Sequence, residues 1–436
     1  MAAPDRDAQQ NVPRMDLLAE LRARGLIHDA TDEAALGRRL ADGPIAVYYG
    51  CDPSADSLHH GNLIGLIMLR RFQRAGHTVI ALAGGATGMV GDPTGRSAER
   101  NLLDDATLDR NVAAIKSQIA RIVDLDGEAG VLVDNRDWTQ PMSVLEFLRD
   151  VGRHATVNQM LARESVRARL ESEQGISFTE FSYMLLQAND YLWLHDHLGC
   201  ELQVGGSDQW GNILSGVDLI RRSRSVTAHA MAWPLLTGSD GSKLGKTSGA
   251  RVWLDPARTS PYQWHQHWMQ VDDDAVASQF PMFSLRPLDE IHELLAEHAS
   301  APERRLAQRA LADELTTLVH GRDAAAAAAG AADVLFGGDP AAASMETLDA
   351  LAAEVPTTRV SAAALADPVA LLADIGVATS RSDARRLLDQ GSIRANGAPL
   401  GPDDDLGGRQ LLHGAYLLLR RGKRTYHLVE ISGRPG

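Results

Sequence analysis

A parallel α/β sheet wound on both faces by helices, then an all-helical stretch and a small mixed unit, is the architecture this sequence predicts. Three observations carry that expectation. From residue 44 to about 237, short apolar runs alternate with amphipathic segments. From about 260 to 345 strand-like runs give way to helical periodicity. After about residue 368 a helix pair precedes three short strands. At 436 residues the chain is also too long for one ordinary core, which points to two or three domains.

Taken in order, residues 1–14 are polar, and Met15 opens the first amphipathic segment, so 1–14 reads as a disordered extension. Pro44 to Gly50, Thr78 to Ala83, Val131 to Val133 and Glu201 to Val204 read as buried strands, because they are short and apolar without alternation. Leu63 to Arg74 and Thr107 to Val123 are the amphipathic helices between them. Trp233-Pro234-Leu235-Leu236 reads as a further strand. Trp264 to Trp268, Leu288 to His298, Ala301 to His320 and the run Ala324 to Ala329 read as helices. Val355-Pro356-Thr357-Thr358 reads as linker. The last unit pairs helices at Val369 to Ile375 and Arg381 to Gln390 with strands at Ser392 to Ala395, Tyr416 to Arg420 and Thr425 to Ile431. The expected domains are therefore 15–258, 259–350 and 368–436, with 351–367 as linker.

Composition narrows the function. The formal charge is −14, which argues against a protein that coats nucleic acid non-specifically. The tail departs from this: residues 381–436 hold ten Lys/Arg against six Asp/Glu, densest at Arg420-Arg421-Gly422-Lys423-Arg424. The two cysteines, Cys51 and Cys200, have neither metal-ligand spacing nor a disulfide framework, which favours a reducing cytoplasm. No apolar run approaches the roughly 18 residues a membrane span needs, so no membrane role is expected.

In an open parallel sheet, ligands bind beyond the carboxyl ends of the strands. Here those ends carry Gly50-Cys51-Asp52, Gly84-Gly85-Ala86-Thr87-Gly88, Asp134-Asn135 and Gly205-Gly206-Ser207-Asp208-Gln209. After the first comes Asp52-Pro53-Ser54, then His59-His60-Gly61-Asn62 at a helix start. Imidazole, hydroxyl and free amides at a helix N-terminus suit nucleotide phosphates. Far along the chain, Gly241-Ser242-Lys243-Leu244-Gly245-Lys246-Thr247-Ser248 puts two lysines three apart in a Gly-rich loop. Such lysines are ordinarily solvated, but a strand just before them would set the loop over the same edge, where they suit a departing pyrophosphate. Tyr183, Gln187 and Asp190 stand at i, i+4 and i+7 on a segment apolar nearly all round. A polar stripe on such a helix faces an enclosed pocket, and a buried Asp asks for a ligand hydroxyl or amine. Asp92 adds a carboxylate suited to an ammonium group, and Arg96 and Arg100 are candidate phosphate contacts. Together these features point to chemistry at the α-phosphate of ATP.

The residues jointly resemble the bacterial tyrosyl-tRNA synthetases over nearly the whole chain from Met15. His59-His60-Gly61-Asn62 is similar to the HIGH element, with Asn62 in its last place, and Lys243-Leu244-Gly245-Lys246-Thr247 to a relaxed KMSKS loop. Gly205-Gly206-Ser207-Asp208-Gln209-Trp210-Gly211-Asn212 and Phe178-Thr179-Glu180-Phe181-Ser182-Tyr183 carry the likeness further. The tail resembles a small α+β RNA-binding domain shared with a ribosomal small-subunit protein.

The resemblance implies a Rossmann-like catalytic domain, a helical tRNA-binding domain, and a homodimer acting on tRNA(Tyr), L-tyrosine and ATP with Mg2+, without a tightly bound cofactor or a protein-held metal. It implies that Tyr48 and Asp190 bind the phenol hydroxyl, that Asp92, Tyr183 and Gln187 hold the ammonium with Thr87 and Asn135 in support, and that Gln209 lies near the carboxylate. Gly206 and Asp208 would take the ribose, while Gly50, Asp52, Ser54, His59 and Asn62 would line the ATP site. Lys243, Lys246 and Thr247 would hold pyrophosphate, assisted by Arg96 and Arg100. Three alternatives stay open at this point: a tryptophanyl-tRNA synthetase, a small-molecule adenylyltransferase, and a catalytically silent RNA-binding relative.

Overall fold

Among the described residues the first sheet has six strands: β1 (Asp29–Ala30), β2 (Ala46–Cys51), β3 (Thr78–Ala83), β4 (Gly130–Asp134), β5 (Cys200–Gly206) and β6 (His229–Trp233). The computed structural model describes residues 16–94, 103–171, 175–235 and 251–432. Residues 1–14, Arg96, Arg100 and the lysine loop with Lys243, Lys246 and Thr247 lie outside the described residues. The spatial order is β1-β6-β5-β2-β3-β4; all neighbours are parallel except β1 against β6. The chain winds outward from β2 through β3 to β4, then returns to the other side of β2 as β5. That reversal puts a topological switch point between β2 and β5, where an open sheet parts its loops and leaves a crevice.

The helix His60–Arg74 returns across the sheet from β2 to β3. Leu63, Leu66, Ile67, Met68, Leu69 and Phe72 on it are fully buried, each stabilising the fold by roughly 1.5–3 kcal/mol. Gly65 on the same helix faces the Tyr49 ring, and a Cβ there would come within 2.2 Å of it. Tyr49 has nowhere to go, since it is buried and packed edge-on against Trp233 with ring centroids 5.5 Å apart. Gly65→Ala should therefore lose about 1–3 kcal/mol to overpacking, against about 1 kcal/mol regained in helix propensity. The expected result is a lower urea midpoint at an unchanged m-value; a raised midpoint would show that the ring yields.

The helix Phe178–Leu198 packs on the sheet through Ala188, Tyr191, Leu192 and Leu194, which share a core with Ala46 and Tyr48 of β2, Ile80 of β3 and Cys200 of β5. Ser177 caps it by accepting from Glu180 N at 3.2 Å, and Gly199 ends it in the left-handed region at φ 63°. Arg169 and Glu180 form a buried, doubly bonded ion pair at 3.0 and 2.8 Å, so the polar start of this helix is compensated inside the protein.

Residues up to Leu254 together with Asp272–Ala307 form one compact unit; Asp255–Val271 with Gln308–Gly436 form another. In the second, a sheet runs β7 (Thr357–Ser361), β11 (Thr425–Ser432), β10 (Tyr416–Arg421), β8 (Ile393–Ala395), β9 (Ala398–Pro399). Helices Pro368–Asp374 and Arg381–Asp389 cover it, sharing a core of Leu371, Leu372, Leu387, Leu388, Leu417 and Val429.

Two expectations are corrected. The strand placed at Trp233–Leu236 lies earlier, at His229–Trp233, because Pro234 has no N–H to continue the ladder. Residues 351–367 are not a linker. Leu351 closes a core shared by Ala331, Val334 and Leu348 with Leu418, Tyr426 and Leu428, and β-branched Thr357, Thr358 and Val360 run parallel to β11 as an edge strand.

Candidate active site

At the switch point a cavity of about 530 Å3 opens between the ends of β2 and β5, under the helix Phe178–Leu198. Its lining includes Tyr48, Gly50, Asp52, Ser54, His59, Asn62, Thr87, Asp92, Tyr183, Gln187, Asp190, Gly206, Asp208 and Gln209. These are the described residues that the sequence singles out, save one. Asn135 stands behind the wall, fully buried, and acts on the residues that face inward.

One polar chain runs along the cavity. Trp138 Nε1 donates to Asp190 Oδ1 at 2.9 Å, and Asn135 Nδ2 donates to Asp190 Oδ2 at 2.9 Å. Asn135 Nδ2 also donates to Thr87 Oγ1 at 3.0 Å, and Thr87 donates onward to Asp52 Oδ1 at 2.6 Å. Tyr183 OH donates to the other Asp52 oxygen at 2.8 Å. Asn135 is itself fixed, because its Oδ1 accepts from Ala86 N at 2.7 Å. Gly84 makes the Thr87–Asp52 bond possible: a Cβ there would lie 2.2 Å from Asp52 Oδ1.

Burial sets the protonation states along this chain. Asp190 is 1 % exposed, and desolvation pushes its carboxyl up to about 7, while the bonds from Asn135 and Trp138 pull the other way. Tyr48 and Tyr183 are raised well above the ordinary phenol value, by burial first and then by Asp190 and Asp52 respectively. Both phenols stay neutral and can donate. Tyr48 meets Gln203 in register across β2 and β5, which sets the two side chains on one face. Gln203 Oε1 and Gln187 Oε1 are buried with no partner among the described residues, so the cavity wall carries two unmet acceptors.

Next to Tyr183, Asp92 accepts from Gln209 Nε2 at 2.7 Å and from Thr94 N at 3.0 Å. Asn212 Nδ2 donates to Gln209 Oε1 at 3.1 Å. At the other end, His59 caps the helix His60–Arg74 in a reciprocal box: His59 Nδ1 accepts from Gly61 N at 3.0 Å, and Asn62 Oδ1 accepts from His59 N at 3.1 Å. With Nδ1 accepting, a neutral ring carries its proton on Nε2. Burial, then His60 and Arg251, lower its pKa to about 4, so a neutral donor faces the cavity at neutral pH. Gly61 leaves no room for a side chain, since a Cβ would lie 2.9 Å from the His59 ring.

The chain on either side of the lysine loop is tied to the same place. Leu235 and Arg251 both line the cavity. His60 N donates to Val252 O at 3.0 Å and Leu254 N to Leu58 O at 2.8 Å, bridging that return segment to the His59 stretch. Among the lining residues, Gln203, Arg251 and Trp253 were not anticipated from sequence, nor was Trp138 behind Asp190.

Comparison with known proteins gives the family. Residues 40–337 match the family model for tRNA synthetases class I (W and Y), and residues 347–429 match that for the tyrosine--tRNA ligase SYY-like C-terminal domain. A tyrosine--tRNA ligase of Opitutus terrae is 50% identical over 96% of this chain and 100% of its own. One of Kineococcus radiotolerans is also 50% identical, over 95% of this chain and 99% of its own. The solved structure of a truncated Aspergillus nidulans mitochondrial tyrosyl-tRNA synthetase superposes with a TM-score of 0.66 at 34% identity, covering 74% of this chain and 95% of that one. A Plasmodium falciparum tryptophanyl-tRNA synthetase shares the fold at 16% identity and a TM-score of 0.53. The chain belongs to the class I tRNA synthetases (W and Y), on the side of the bacterial tyrosine--tRNA ligases, and is therefore an aminoacyl-tRNA synthetase.

Proposed function

We propose that this ligase activates L-tyrosine with ATP and passes it to tRNA(Tyr), with the residue roles that follow. Tyr48 and Asp190 read the phenol hydroxyl. Asp92, Tyr183 and Gln187 hold the ammonium, with Thr87 and Asn135 fixing Asp190 and Asp52. Gln209 meets the carboxylate, Gly206 and Asp208 the ribose, and Gly50, Asp52, Ser54, His59 and Asn62 the nucleotide. ATP enters as its magnesium complex. Lys243, Lys246, Thr247, Arg96 and Arg100 take the pyrophosphate.

The carboxylate of tyrosine is already a nucleophile. One of its oxygens bonds to the α-phosphorus while the bond to the bridging oxygen breaks in line, and pyrophosphate leaves with its charge. A ribose hydroxyl of the terminal adenosine then attacks the mixed anhydride carbonyl; the ester forms, AMP departs and the hydroxyl proton is released. The protein's share is placement and charge, in which a neutral His59 Nε2–H and the lysines favour the crowded phosphates of the transition state over the ground state.

The observation that carries this reading is the unbroken chain Trp138–Asp190–Asn135–Thr87–Asp52–Tyr183, which fixes the Asp190 carboxyl in the cavity lining. It is tested through pH. Asp190 must be ionised to accept the substrate hydroxyl, and its pKa stands at about 7. The kcat/KM for tyrosine in adenylate formation should therefore rise from pH 6 to 8 with an inflection near 7 and then level off, while that for phenylalanine follows no such step. A tyrosine profile flat across this range would remove Asp190 from the floor of the pocket. The same carboxyl gives stability at low pH that is lost as pH rises through about 7, whereas His59, lowered to about 4, costs stability as pH falls from its ordinary value toward 4.

The homodimer reading draws support from exposed apolar side chains on the first unit, where Val144 is 74% exposed, Leu145 78% and Phe178 78%. The two buried free thiols suit a cytoplasmic setting, and none of the described helices is long and apolar enough to cross a membrane. Exposed Arg385, Arg394, Lys423 and Arg424 on the second unit suit a phosphate backbone.

A further inference from the structure

Asn212 is the third residue of the helix Trp210–Arg224 and is only 6% exposed. Its Nδ2 donates to Gln209 Oε1 at 3.1 Å and reaches Asp92 Oδ1 at 3.5 Å, while Gln209 Nε2 donates to Asp92 Oδ2 at 2.7 Å. A glutamine amide is nearly symmetric in shape, so its partners alone decide which end faces a given direction. Here both partners agree: Asp92 selects the nitrogen and Asn212 the oxygen. Once a substrate ammonium bonds to Asp92, its three N–H groups compete for the same carboxylate oxygens. The hold of Asp92 on Gln209 then weakens, and Asn212 is left to keep the amide from turning over. A turned amide would set Oε1 against the attacking carboxylate, acceptor facing acceptor.

We propose that Asn212 is a positioning residue for adenylate formation, holding the Gln209 amide with its nitrogen toward the reacting carboxylate. This rests on Gln209 being the carboxylate contact. Asn212 touches no substrate; it acts through Gln209, and that is what distinguishes it from a packing residue.

The test is a double-mutant cycle on the full chain. The rate of tyrosyl-adenylate formation is followed in single turnovers at saturating tyrosine and ATP and expressed per titrated active site. Asn212→Ala should slow that rate at least about tenfold, the worth of one hydrogen bond to a reacting group. In a Gln209→Ala background the same substitution should change it by less than about twofold. Equal losses in both backgrounds, or a loss confined to the fraction of active sites, would overturn the proposal, as would an unaltered rate in Asn212→Ala. If Gln209→Ala itself left the rate unaltered, the assignment of Gln209 would fail and the proposal with it. Should Asn212→Ala not fold, Asn212→Leu keeps the size, removes the Nδ2 donor without adding charge beside Asp92 and enters the same cycle with the same expectations.

Discussion

Asp190→Asn should lower kcat/KM for tyrosine by about ten- to a hundredfold while leaving that for phenylalanine nearly unaltered. Asp190 accepts two fixed donors, Trp138 Nε1 and Asn135 Nδ2, each at 2.9 Å. An asparagine there must turn its own NH2 toward one of them, so a buried donor loses its partner at roughly 1–3 kcal/mol. The charge-assisted bond to the substrate hydroxyl is lost as well, at roughly 1.5–3 kcal/mol. The first loss is already present in the free enzyme and lowers stability whichever amino acid is bound, so only the second enters kcat/KM, at about one to two decades in rate. Phenylalanine never makes the second bond, so discrimination collapses from the tyrosine side. Steady-state adenylation with both amino acids measures this; an equal fall for both would mean that Asp190 only holds the fold.

Lys246→Ala should cut the rate of adenylate formation by about 10²–10³, the usual loss when one preorganised charge stabiliser is removed. Tyrosine affinity, read by equilibrium dialysis without ATP, should stay within about twofold, since a group that acts on leaving pyrophosphate contributes to the transition state alone. Leu235 and Arg251, the nearest described residues before and after residues 236–250, both line the cavity. A surviving rate would show that pyrophosphate is held by other groups. A loss of tyrosine affinity of the same size would show that the loop serves the amino acid instead.

Much of this site is legible in the sequence because the fold imposes short-range periodicities. Tyr183, Gln187 and Asp190 share a helical face, and the strand ends of a parallel sheet converge by topology, so Asp52, Thr87 and Asp208 announce a common pocket. Residues whose role depends on a neighbour distant in sequence gave no such sign. Trp138 looks like any core aromatic until the helix Phe178–Leu198 sets Asp190 beside it. Gln203 sits in a run of buried residues, and only its register opposite Tyr48 reveals that it faces the cavity. β6 is Ala-rich and buried on both faces, so it lacks the alternation that marks a strand, and β7 looks like linker because an edge strand need bury only half its surface.

The central claim is that the pocket reads a phenol hydroxyl and passes the amino acid to the α-phosphate of ATP. Amino-acid-dependent ATP–pyrophosphate exchange on the full chain, run in parallel with tyrosine, phenylalanine and tryptophan, tests it most directly. Exchange driven by tyrosine, with phenylalanine and tryptophan near background, is the predicted result. Exchange with tryptophan or phenylalanine at a kcat/KM comparable to that of tyrosine would contradict it.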